Sequence, residues 1–146
     1  MKLKNYKTYL KQIKSYAKLC NVDIVFKKEV DGVGEYVPNR RRVALEKGLS
    51  QSEIISTLLH EFGHFIDDLR NPENNFNNKF HNDGRTAIEQ EREPTLQQKK
   101  KILKLEKEAW KNARALARQL NIPMGNWFYR DEKSALNSYY AMRARE

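Results

Sequence analysis

Residues 58–67 read LLHEFGHFID and hold two of the three histidines in the chain. His60 and His64 stand four residues apart, with Glu61 directly after the first. On an α-helix, positions i and i+4 put their Cβ atoms about 5–6 Å apart on one face. Two imidazoles at that spacing can converge on one Zn²⁺, each at about 2.0–2.1 Å. A glutamate one residue after the first histidine can lean toward the open metal position and take a proton from water that the metal has acidified. The segment therefore reads as a metal-binding helix with Glu61 as general base. A polar face in solvent would not explain Gly63, because glycine costs a helix interior about 1 kcal/mol relative to alanine.

Two histidines need a third protein ligand. Arg70 stands six residues after His64, where the HExxHxxGxxH class has its third histidine, so that class is excluded. Asp67 shares the histidine face but lies about 10 Å along the axis from His60. It suits an outer role, accepting an imidazole N–H. His81 and an acid on the next helix remain. Within residues 96–120, Ile102, Leu103, Leu105, Ala109, Trp110, Ala113, Leu116, Ala117 and Leu120 share one apolar arc. Glu106 falls near the middle of that arc and Glu108 outside it. A carboxylate on a buried stripe is costly unless paired or bound to metal, so Glu106 is the expected ligand and Glu108 is expected to face solvent.

The elements that must position these groups follow from periodicity. A basic helix is expected within residues 1–20, with Leu3, Tyr6, Leu10, Ile13 and Cys20 at helical spacing. Residues 22–46 read as three short strands. VDIVFKKEV, the turn DGVG and GEYV suggest a hairpin, and RRRVALE a third strand whose arginines suit an exposed edge. Ser50 and Glu53 make a capping box for the central helix over 50–69. An asparagine-rich loop is expected over 71–93, then helices over 95–120 and 131–143. The expected fold is α+β, one domain over 1–146. It comprises an N-terminal helix, a small, mostly antiparallel three-stranded sheet, the central HExxH helix and two C-terminal helices.

HEFGH followed by EKEAWKNARALA resembles the ImmA/IrrE-type metallopeptidases, small gluzincins common in phages and other mobile elements. In that family the third ligand is a glutamate four residues before an Asn. Mapped here, it is Glu106, with Trp110 in place of the Asn. The resemblance covers roughly residues 40–123 and implies a minimal zincin-like domain. It implies one Zn²⁺ per chain and hydrolysis of a peptide bond in a specific, regulatory protein substrate. A rival resemblance is to SprT-like proteases, which act on DNA-bound proteins and would use His81 as third ligand.

The expected peptidase binds its substrate as an added strand along the edge 40–46. Oxyanion help would come from Tyr139, Tyr140 or Arg85. The alternative from another class is a non-catalytic basic binding module with a structural zinc. Net charge is +9, and residues 1–20 carry six lysines and no acid. Such a field favours acidic partners, nucleic acid among them, although no nucleic-acid signature accompanies it. One cysteine, Cys20, excludes an internal disulfide and fits a cytoplasmic setting. No apolar run approaches the roughly 18 residues of a membrane helix.

Overall fold

The computed structural model describes residues 2–28, 30, 32–72 and 93–144. The expected 71–93 loop therefore falls almost wholly outside the described residues, as do His81 and Arg85.

Helix α1 spans Tyr6–Leu19 and buries Tyr9, Ile13 and Ala17, a stripe at four-residue spacing. Strands β1 (Asp23–Lys27), β2 (Gly34–Val37) and β3 (Arg42–Glu46) form one sheet. Helix α2 (Gln51–Arg70) follows, then α3 (Leu96–Gln119) and α4 (Asn126–Tyr140). The α+β architecture is as expected. Helix α4 begins five residues before the expected 131, and its first turn supplies the fully buried Phe128.

The strand order is β1-β3-β2, which corrects the expected hairpin and the expected edge. β1 and β2 do not pair with each other. β1 runs parallel to β3, and β2 antiparallel to it, so the sheet is mixed. Strand β3, expected at an exposed edge, is the central strand, and its Val43, Ala44 and Leu45 are buried. The arginines before it have another use. Arg41 turns the chain in a left-handed conformation, φ 46°. Its guanidinium donates to the carbonyls of Cys20 (2.6 Å) and Asn21 (3.2 Å), tying β3 to the end of α1.

Helix α2 lies between the sheet and α3. Its N-terminus has the Ser50–Glu53 capping box, which satisfies two otherwise orphaned N–H groups. Toward the sheet, Phe65 meets Tyr36 of β2 edge to face at 5.8 Å, and Phe62 meets Tyr16 of α1 at 5.4 Å. Toward α3 the contact is closer. A Cβ on Gly63 would sit 2.0 Å from the carbonyl oxygen of Ala109. Gly63 is therefore where the two helix backbones touch. Helix α4 is fastened across both by Ser56 Oγ donating to Asp131 (2.7 Å) and by the Arg114–Glu132 ion pair.

Candidate metal centre

The His60–His64 face of α2 is covered by α3. Asn112 donates to the Gly63 carbonyl at 3.1 Å and fixes the two helices in register. That register carries Glu106, one turn before the contact, onto the histidines. Glu106 Oε2 lies 2.9 Å from His60 Nε2 and 3.3 Å from His64 Nε2. The three ligand atoms all lie within 4.8 Å of one another. His64 and Glu106 are only 3% and 2% exposed.

A tetrahedral ion with bonds of about 2.0–2.1 Å spaces its ligand atoms roughly 3.3 Å apart. The two separations measured here are close to that value. Two imidazole nitrogens and one carboxylate oxygen are a common catalytic donor set for zinc, and also suit other divalent metals. The described residues thus include one group that could hold a metal ion, formed by His60, His64 and Glu106, and it is consistent with a zincin-like site. Burial raises the Glu106 carboxyl, but the charges and hydrogen bonds of His64 and His60 outweigh it and hold the group well below the usual carboxylate range.

The neighbours of the triad are set by three elements. Trp110, one turn after Glu106, stacks on the His60 ring with centroids 4.4 Å apart and planes at 30°. Phe128 of α4 backs Trp110 edge to face at 5.6 Å. His60 Nδ1 is buried and has no hydrogen-bond partner among the described residues. Glu61 is buried on the sheet side, where its Cγ would lie 3.4 Å from a Cβ on Gly34 of β2. Glu61 therefore sits between the histidine face and strand β2.

The other sequence candidates fall elsewhere. Asp67 is buried, and its described side-chain partner is Asn71 Nδ2 at 3.0 Å rather than an imidazole. Glu108, expected to face solvent, is half-buried on α3, and it lies outside the triad. The Tyr140 carbonyl accepts from Lys99 at 2.9 Å, and Lys107 lies over its ring, so it packs on the lysine side of α3. Tyr139 is half-buried, next to it on α4. Sequence reasoning missed Asn112 and the stack on His60. Asn112 falls just beyond the Leu105 edge of the apolar arc of α3, a border position that helical spacing does not single out.

Comparison with protein-family models, curated proteins and solved structures finds no match to this chain. What the fold and site define is an α+β protein with a two-histidine, one-glutamate group that could hold a metal ion. No helix among the described residues is long and apolar enough to cross a membrane.

Proposed function

We propose that this chain is a zinc-dependent metallopeptidase that cuts a peptide bond in a specific protein substrate. The observation that carries the reading is the convergence of His60, His64 and Glu106 beside a buried glutamate, Glu61, on the same helix. A purely structural metal site gives no use for Glu61.

His60 and His64 would hold zinc through Nε2, and Glu106 through a carboxylate oxygen. Bound zinc supplies Lewis acidity, which makes water nucleophilic near neutral pH and polarises a carbonyl. Glu61 takes the proton of the attacking water and delivers it to the leaving amine. Trp110 and the α3 backbone shield the histidines on the side away from the sheet.

Substrate addition along residues 40–46 conflicts with the central position of β3. Among the described residues the outer strands are β1 and β2, and β2 is the one beside Glu61. An extended peptide pairing with β2 would present its backbone to that turn of α2.

The test has two parts. Metal is measured in protein purified without chelator, for wild type, Glu106→Ala, Glu108→Ala and His81→Ala. One zinc in wild type, lost only in Glu106→Ala, is expected. Loss in His81→Ala instead would favour the SprT-like reading. Cleavage of a peptide library is then compared between wild type and Glu61→Gln. Glu61→Gln should keep zinc and lose cleavage. A wild type that takes up no metal after reconstitution would overturn the proposal.

A further inference from the structure

The lysines of α1 form a ridge. Lys7, Lys11, Lys14 and Lys18 are spaced four, three and four residues apart, and all are exposed. At 1.5 Å per residue the ridge is about 16 Å long. Lys2 and Lys4, also exposed, precede it. Residues 1–22 contain no acid. Among the described residues no ion pair engages any of these lysines. The carbonyls of Cys20 and Asn21, just past the end of α1, accept from Arg41, which adds a further cation at that end of the helix. Helix α3 is also lysine-rich, but its cations are partly used by the fold: Lys99 and Lys107 on Tyr140, and Arg114 on Glu132.

We propose that this face of α1 docks the phosphodiester backbone of double-stranded nucleic acid, without reading sequence. A membrane surface fits less well. An interfacial helix must submerge its apolar face, and here Tyr9, Ile13 and Ala17 are buried in the core. Leu19 is the one large apolar side chain of α1 left strongly exposed. An acidic protein fits less well too. Protein interfaces rely on buried aromatic or apolar anchors, whereas the exposed residues between these lysines are Asn5, Thr8 and Ser15. Small polar side chains and lysines are what phosphate and sugar contacts use. The absence of an exposed aromatic on this face removes the stacking platform that single strands need. Duplex DNA presents one charge per roughly 1.7 Å of axis, so the ridge meets phosphate along its whole length. The inference is independent of the metal reading, because the triad is built from α2 and α3.

The experiment is fluorescence anisotropy of the full chain with a labelled 20-base-pair DNA duplex, from 50 to 200 mM salt. A matched RNA duplex, a poly-glutamate competitor and phosphatidylserine vesicles run beside it. Four lysine contacts give a slope of log K against log salt of about −3.6, or about 150-fold weaker binding across that range. Lys7→Glu/Lys11→Glu/Lys14→Glu should abolish most binding, and the neutral Lys7→Gln/Lys11→Gln/Lys14→Gln should flatten the slope by about 2.7. Lys100→Glu/Lys104→Glu/Lys111→Glu on α3 makes the same change in net charge and should keep the slope. Binding to either duplex counts in favour. Equal loss from the α1 and α3 variants reduces the effect to net charge and overturns the proposal. So does poly-glutamate competing as well as duplex per charge, or binding to vesicles without binding to duplex.

Discussion

The indole of Trp110 lies against the imidazole of His60, ring centroids 4.4 Å apart and planes 30° from parallel. Metal-binding histidines usually donate their second ring N–H to a carboxylate or carbonyl, which fixes the ring. Here no described residue meets His60 Nδ1, and the stack supplies the orientation instead. Trp110→Ala should weaken metal binding about ten- to a hundredfold, as loss of an outer partner does. Trp110→Phe should recover most of it. A chelator competition titration reads both. Metal-dependent change in tryptophan emission, present in wild type and lost in Trp110→Phe, gives a second readout.

Gly63→Ala should part α2 from α3. The new methyl would lie 2.0 Å from a backbone carbonyl oxygen, which has no flexible side chain to yield. The gain of about 1 kcal/mol in helix propensity is outweighed, and a net loss of roughly 2–3 kcal/mol is expected. Urea unfolding of the metal-free protein measures it. Metal affinity should fall in the same variant, because Glu106 is carried on the displaced helix.

Gly34→Ala should act on the other side of α2. Its methyl would come within 2.5 Å of the Thr57 methyl and 3.4 Å of Glu61 Cγ. Strand β2 and Glu61 should both shift, with loss of cleavage but not of metal. Thr57→Ser removes the opposing methyl, so Gly34→Ala/Thr57→Ser should regain melting temperature and cleavage together. A double variant no better than Gly34→Ala would show that the contact is not the cause.

Tyr36 gives a pH signature remote from the triad. Burial first, then the charge of Asp68 and the hydrogen bond to it, push its hydroxyl up to about 12, against the pull of Arg41. The ordinary value is about 10. The folded state therefore holds this proton more tightly than the unfolded state. Its stabilising contribution is complete below pH 10 and is lost as pH rises toward 12. Urea midpoints from pH 9 to 11.5 should fall less steeply in Tyr36→Phe than in wild type.

Much of the candidate site was legible because helical periodicity is local. The wheel placed His60 and His64 together and put Glu106 rather than Glu108 on the buried stripe, and the structure brings those three together. The sheet was less legible. DGVG between two β-rich runs satisfies every local rule for a hairpin, yet β3 lies between the two strands. Pairing partners are chosen by long-range burial, which no local pattern encodes. The arginines before β3 read as edge protection, whereas Arg41 serves α1. Gly63 was seen to need a reason, and the reason is a neighbouring backbone, that of Ala109. Trp110 was read as core; its contact with His60 depends on a helix crossing that sequence spacing cannot specify.

His64 and Glu106 are 42 positions apart in the chain, and a shared ion would join them as a removable cross-link. An unfolded chain has no preformed site, so whatever ion binds the triad stabilises only the folded arrangement. Its contribution follows free-metal concentration, about 4 kcal/mol at a thousandfold excess over the dissociation constant. The helix pair would then be a gauge of metal supply: the lifetime of the folded chain, and its resistance to proteolysis, would rise and fall with the ion's availability even before any substrate is met.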